Sequence, residues 1–151
     1  MNSTIEQLRE GFFVWVSLPV QWGDQDAFGH VNNTVYLRWF ESARIAYGRQ
    51  VVLGDLEGKA VGPILAAISC QYRRQLTFPD TVHVGARITR IGRSSLAMEH
   101  RLISESLQAI AAEGDSTLVS FDYAAQKSVP LPADVRARIE ELERRAFPAP
   151  P

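Results

Sequence analysis

The 151-residue chain contains one cysteine, Cys70, so it cannot form an internal disulfide. This is typical of a protein that folds in a reducing compartment, and the side chain is expected to be a small buried hydrophobe. The chain also lacks an excess of charge, because 16 basic side chains are balanced by 17 acidic ones. No net field would draw such a protein to nucleic acid or to an anionic membrane.

Long hydrophobic runs are missing as well. The apolar segment at residues 12–20 is too short to span a bilayer. Glu6 and Glu10 precede it and no small-residue cleavage site follows, which argues against a secretory signal. There are no repeats, low-complexity tracts or domain linkers. We therefore expect a cytoplasmic protein folded as a single domain over residues 1–151.

Alternation of apolar and polar side chains predicts five strands, each with one buried face. They cover residues 14–22, 64–72, 82–89, 96–102 and 108–125. Within the last strand, Glu113-Gly114-Asp115 predicts a bulge, since a lone glycine weakens regular pairing. Short links at 91–93 and 104–106 predict that the last three strands form an antiparallel meander. Residues 53–62 are expected to form a loop.

Two segments have the 3.6-residue period of an amphipathic helix, a long one at about 33–49 and a short one at 133–145. The long helix places bulky side chains on one stripe, broadened by Ile45: Val35, Tyr36, Trp39, Phe40, Ala43 and Tyr47. The order strand, long helix, four strands, short helix predicts an α+β protein. Its antiparallel sheet of about five strands should wrap one central helix, which is the hotdog fold.

The densest polar cluster, residues 22–33, lies between the first strand and the long helix. N–H groups at a helix N-terminus favour an anion or a developing oxyanion, and Gly29 permits close approach of the backbone. One interpretation is a helix cap formed by Asp26 or Asn32. A calcium loop is excluded because Phe28 takes the place of a ligand.

Two further interpretations involve chemistry at this cluster. Asp24, Asp26 and His30 could bind a transition metal, although an HExxH spacing and a second ligand cluster are missing. Alternatively, Asp26 is a catalytic carboxylate whose basicity is preserved by partial burial beside Trp22 and Phe28. Such a group can act as a general base or as a nucleophile.

Residues 20–44, VQWGDQDAFGHVNNTVYLRWFESAR, resemble the 4-hydroxybenzoyl-CoA thioesterase family, especially its long-chain acyl-CoA branch with D-x-D-x-x-G-H-V-N-N. Looser similarity at 78–80, 91–95 and 112–114 extends the resemblance over most of the chain. It implies hydrolysis of acyl-CoA without a cofactor or metal. Asp26 would be the catalytic carboxylate, and a backbone N–H at or beside Asn33 would bind the thioester carbonyl.

The resemblance also implies substrate contacts. We expect them from Gly29, His30, Asn32 and Tyr36, with His30 in a positioning role. The hairpin Arg93-Ser94-Ser95 would bind CoA phosphates, for which arginine has a suitable fork of donors; ordinary turn chemistry is the alternative. Arg73 and Arg74 could assist, and Glu41 is interpreted as structural.

A single helix cannot cover the whole sheet, and exposed strand edges invite pairing. The sequence therefore predicts a homodimer or homotetramer with the acyl tunnel between subunits. Two alternatives stay open at this point, a hotdog hydratase acting on enoyl-CoA and a non-catalytic acyl-CoA binding module.

Overall fold

The computed structural model of the protein describes residues 3–52 and 60–150. Its helices are α1 (Ser3–Leu8), α2 (Asn33–Val51) and α3 (Ala133–Glu143), and its strands are β1 (Val14–Pro19), β2 (Val61–Tyr72), β3 (Thr81–Ile91), β4 (Ser95–Ser104), β5 (Ala109–Asp122) and β6 (Lys127–Ser128). Most of the predicted loop at 53–62 lies outside the described residues, and its end already belongs to β2. No helix in the described part of the chain has the length and apolarity to cross a membrane.

The described strands form one antiparallel sheet in the order β1-β3-β4-β5-β2, with β6 paired to β5. Consecutive strands β3, β4 and β5 pair by short hairpins, so the predicted meander is confirmed. The α+β architecture of a sheet around one long helix is confirmed as well. The strand after α2 crosses the meander and pairs with β5, which leaves β1 and β2 at the sheet edges.

The long helix buries its predicted stripe. All six apolar residues of that stripe lie in the hydrophobic core, because α2 packs across β1 and β3. The prediction that Ile45 broadens the buried stripe is wrong, because its side chain is exposed at the rim of an open cavity on the β2 side of the helix. Among the described residues, the helix therefore leaves part of the inner face of the sheet near β2 uncovered.

The edge strand β2 is exposed over much of its length. Side chains at 63–67 are all exposed, although alternation predicted one buried face. Cys70, farther along the strand, is only partly buried. The local pattern of β2 is that of a strand with a covered face, but nothing in the described chain covers it.

Gly114 pairs in register with Cys70 on β2 and His100 on β4, so the predicted bulge at 113–115 is wrong. The irregularity of β5 against β4 falls instead at Ala111. A Cβ atom at Gly114 would overlap a backbone oxygen of β2 and would lie 2.6 Å from the Phe40 ring. Glycine is needed there because helix and sheet approach so closely.

The last helix is tied to the core by a buried carboxylate. Glu143 accepts hydrogen bonds from the Tyr47 hydroxyl at 2.7 Å and from the Ile88 N–H at 2.9 Å. These bonds satisfy two donors that would otherwise be buried without a partner. They hold α3 against both α2 and β3.

Replacing Gly114 with alanine should lower the free energy of unfolding by about 3 kcal/mol, because backbone on one side and Phe40 on the other leave no room for the methyl group. Urea unfolding measures the change. The matched control is Gly23→Ala, where no atom lies within 4 Å of the added carbon. It should shift stability by less than about 0.5 kcal/mol. Equal losses in both variants would contradict the close-approach explanation.

Candidate active site

The polar cluster folds as a compact loop in front of α2. It begins with a turn of 3-10 helix, Trp22–Asp24, and closes on itself through an isolated bridge between Gln25 and Val31. The Val31 N–H donates to the Leu76 carbonyl at 2.8 Å, and the Gln25 side chain accepts the Phe78 N–H at 3.1 Å. The segment that leads into β3 therefore supports the loop from behind.

Asp24 anchors this loop to the helix. One carboxylate oxygen pairs with Arg38 on α2 at 2.8 Å and the other accepts the Gln21 N–H at 2.8 Å. Its carbonyl accepts the Asn32 N–H at 2.9 Å. With 6% of its side chain exposed, Asp24 is committed to these bonds. No local pattern in the sequence indicates this role, because it depends on the proximity of Arg38 in the folded chain.

Asp26 lies two residues farther on and is exposed to solvent. Its carboxylate accepts the Phe28 N–H at 2.8 Å, and its own N–H donates to the His30 carbonyl at 2.9 Å. Gly29 completes the turn with a φ of +81°, a conformation that favours glycine. The expected burial beside Trp22 and Phe28 is wrong for a single chain, because Phe28 is 87% exposed.

The start of α2 is capped by Asn32. Its side chain accepts the Thr34 N–H at 3.0 Å, and its carbonyl accepts the Val35 N–H at 3.0 Å. The capping interpretation therefore applies to Asn32 and not to Asp26. Within residues 3–52 and 60–150 the Asn33 N–H has no acceptor. The partial positive charge of the helix N-terminus and this N–H are thus both available to a ligand oxygen.

Two tyrosines fix the helix start against the end of β2. The Tyr72 hydroxyl donates to the Asn33 carbonyl at 3.2 Å, and the Tyr36 hydroxyl donates to the Arg74 carbonyl at 3.1 Å. Their rings meet edge to face with centroids 5.1 Å apart. Burial raises the pKa of Tyr36 to about 12, so this hydroxyl stays neutral. The expected substrate contact of Tyr36 stays a prediction, and Tyr72 had no identifying signal in the sequence.

The hairpin Arg93-Ser94-Ser95 lies at the other end of the sheet. β3 starts beside the polar loop and ends at Ile91, and its eleven residues span about 33 Å. One chain therefore does not bring the hairpin and Asp26 together. Arg73 and Arg74 follow directly on β2 and lie near the helix start, where Arg73 pairs with Glu113 at 3.4 Å.

The described part of the chain contains no group of three acidic, histidine or cysteine side chains that could hold a metal ion. Asp24 is bound to Arg38, and Asp26 points its carboxylate into its own turn. His30 joins this turn through its backbone carbonyl. The loop is therefore arranged as an exposed carboxylate beside a helix N-terminus.

Comparison with known proteins gives a consistent result. The model of a family described as the Thioesterase-like superfamily matches residues 20–139. A thioesterase from Thermus thermophilus, solved in complex with coenzyme A and zinc, is 38% identical with a TM-score of 0.82. That match covers 91% of this chain and 99% of the other.

Two further proteins are similar over most of their length. The PA2801 protein from Pseudomonas aeruginosa is 39% identical with a TM-score of 0.77, covering 85% of this chain and 98% of the other. The long-chain acyl-CoA thioesterase FadM from Escherichia coli is 22% identical over 118 residues, which are 78% of this chain and 89% of FadM.

The different exposure of the two partners predicts unequal effects in the Asp24–Arg38 pair. Asp24→Ala should lower the free energy of unfolding by about 3 kcal/mol, because it empties a buried position and leaves the Gln21 N–H without its acceptor. Arg38→Met should cost less, about 1 to 2 kcal/mol, because the buried Asp24 carboxylate loses its cation but keeps the Gln21 N–H, and the 58% exposure of Arg38 weakens the pair through solvent screening. Urea unfolding of both variants decides the matter, and equal costs would refute an anchoring role for Asp24.

Proposed function

This chain belongs to the thioesterase-like superfamily and is a thioester hydrolase, and we propose that it cleaves acyl-CoA thioesters with Asp26 as its catalytic carboxylate. The observation that carries the proposal is the exposed Asp26 carboxylate in a tight turn just before a helix whose first N–H, at Asn33, has no acceptor among the described residues. The D-x-D-x-x-G-H-V-N-N pattern supports the long-chain acyl-CoA branch of the 4-hydroxybenzoyl-CoA thioesterase family. Bound coenzyme A in the Thermus relative and the activity of FadM support the substrate class.

In the proposed reaction the thioester carbonyl accepts the Asn33 N–H, and the dipole of α2 stabilises the negative charge that develops on its oxygen. Asp26 either takes a proton from a water that attacks the carbonyl carbon, or attacks that carbon itself to give an acyl–aspartyl anhydride, which water hydrolyses after the thiolate has left. The C–S bond then breaks and the CoA thiolate leaves, takes a proton and becomes free CoA. The other product is the carboxylic acid, which contains the oxygen of water.

Residues around Asp26 would position the substrate rather than react with it. Gly29 gives the turn its shape, and Asn32 keeps the other helix donors occupied so that the Asn33 N–H is the one offered. His30 closes the turn through its backbone carbonyl, and its ring would act as a positioning group for the substrate. A cytoplasmic location stays a prediction.

We further propose that two copies pair through the exposed edge of β2, as a dimer or as a tetramer of two such dimers. Within the described residues no strand pairs with this edge, and it exposes apolar side chains such as Ile64 and Leu65, which a second β2 would cover. Antiparallel pairing about a two-fold axis would place the beginning of one β2 beside Tyr72, at the end of the other β2. The acyl-CoA site would then lie between subunits.

This pairing would also solve the separation of Arg93 from Asp26. Ser95 is on the strand beside β5, and Val119 opposite it pairs with Ile64, so the hairpin lies at the beginning of β2. In a two-fold dimer that end approaches the partner's helix start. Arg93, Ser94 and Ser95 of one subunit would therefore bind the CoA phosphates at the site of the other, with Arg74 nearby.

Asp26→Asn should reduce thioesterase turnover by about a hundredfold or more. The amide keeps the oxygen that accepts the Phe28 N–H, so the turn and the stability of the fold should persist. Thiol release from decanoyl-CoA measures turnover, and thermal unfolding checks the fold. Asp115→Asn removes an exposed carboxylate from β5 and is the control that should retain parental activity. Activity of the Asp26 variant within about threefold of the parent would rule out the assignment.

Mixed oligomers test the shared site. Asp26→Asn and Arg93→Glu should each be weak on acyl-CoA at low salt, whereas their random mixture should regain about a quarter of parental turnover, because half of the dimers contain one complete site. An acyl thioester without the nucleotide is the control, since Arg93→Glu should hydrolyse it almost as the parent does. A mixture no more active than the sum of its parts, or a monomer by light scattering, would disprove the arrangement.

A further inference from the structure

A largely apolar cavity of about 390 Å³ lies between the second half of α2 and the uncovered part of the sheet. Leu96, Met98 and Leu118 form its floor on β4 and β5, and α3 closes it with Val135 and Ile139. Along α2 it extends from residue 41 to residue 52, about 16 Å of helix. Its volume lies within the range of small-molecule sites, and neither Asp26 nor Asn33 of the same chain lines it.

A mostly buried cation lines one end of this cavity. The side chain of Arg44 is only 13% exposed, and a guanidinium has five N–H donors to place. Among the residues that the structure describes, its polar contacts are the Ser116 hydroxyl at 3.4 Å and Glu41 at 3.9 Å. Ser116 already bonds the buried His100 ring at 2.7 Å. Burial lowers the pKa of Arg44 and Glu41 partly offsets that effect.

Glu41 does not satisfy this cation well. Its side chain is 59% exposed and the distance to Arg44 exceeds that of a hydrogen bond, so the pair contributes little. Glu41 can turn into solvent at small cost. A ligand carboxylate could then make the bidentate contact that suits a guanidinium and that the described chain does not provide.

The rest of the cavity has the opposite character. Val51, Val52 and Val135 line the end farther along α2. Among the residues that the structure describes, the charged lining group at that end is Asp134, exposed in the first turn of α3. Its negative charge disfavours a carboxylate at that end. A cation at one end and an apolar chamber at the other match an amphiphile with an anionic head and an aliphatic tail.

We propose that this cavity binds a free aliphatic carboxylate, with its carboxylate group on Arg44 and its chain among the apolar side chains toward Val51. The cavity is separate from the thioester site of the same chain, since it begins about 12 Å along α2 from Asn33. The packing of Phe40 on Gly114 lies between them. Carboxylic acids are the product class of a thioesterase, but binding here requires no catalysis by Asp26.

Isothermal titration of the intact protein with decanoate at pH 7 tests the proposal, with decanol as the uncharged probe. Decanoate should bind the parent more tightly than decanol. Arg44→Met should weaken decanoate by at least about tenfold and remove the preference over decanol, because a charge-assisted bond is lost. Arg44→Lys should retain most of the affinity. Arg49→Met, which removes an exposed cation from the same helix, should leave binding unchanged.

A second variant tests whether the apolar part of the cavity binds the aliphatic chain. Leu118→Trp fills the floor and should abolish binding of both probes, with thermal unfolding used to confirm that the variant is folded. Asp26→Asn should bind decanoate as the parent does, so loss of thioesterase activity and loss of this site are separable. Equal affinity of the parent for acid and alcohol, or undiminished decanoate binding by Arg44→Met, would overturn the proposal.

The carboxylate bound at Arg44 could also be the distal carboxylate on the acyl group of a substrate. Turnover measurements distinguish this source from a free acid. If the cavity binds the free acid, Arg44→Met should change kcat/KM by the same factor for decanoyl-CoA and for a CoA thioester of decanedioic acid. A selective loss on the dicarboxylic thioester would assign the cavity to the acyl group of the substrate and would overturn the assignment to the free acid.

Discussion

Direct packing of the Phe40 ring on the backbone of β5 at Gly114 fixes the distance between the long helix and the sheet. Because no Cβ intervenes there, α2 lies close enough for its whole apolar stripe to be buried. The same contact brings Tyr36 to Tyr72 at one end of the seam and Arg44 to Ser116 toward the other. Both the orientation of the helix N-terminus and the cation at the cavity depend on this one approach.

The sequence is most informative where the relevant signal is local. The stripe on α2 and the meander of β3, β4 and β5 were predicted correctly, because a helical period and a short link each constrain neighbouring residues. Gly114 was misread as a bulge because a glycine in a strand has two explanations, and only the partner across the gap distinguishes them. Ile45 and the exposed face of β2 were misread because alternation does not reveal whether anything covers a face.

In the candidate site, too, the features that depend on neighbouring residues could be predicted and those that depend on distant residues could not. Residues 22–33 and the helix start could be located from composition and spacing, since they are contiguous in the chain. The different tasks of Asp24 and Asp26 could not, because they depend on Arg38, which lies across the loop on α2, and on a turn that exposes the second carboxylate. The distance between the hairpin at Arg93 and the loop likewise follows from the length of β3 and from no local pattern.

The position of β2 in the sheet has a consequence for synthesis of the chain. Its partner β5 follows it by roughly 40 to 60 residues, so β2 leaves the ribosome well before the strand that will pair with it. At ordinary elongation rates the interval is about 2 to 12 s, which is long compared with the formation of a hairpin. During that interval an apolar strand with both edges open is available to chaperones or to other nascent chains. The speed of translation through residues 73–108 therefore determines how long β2 of the newly made chain stays without its partner strand.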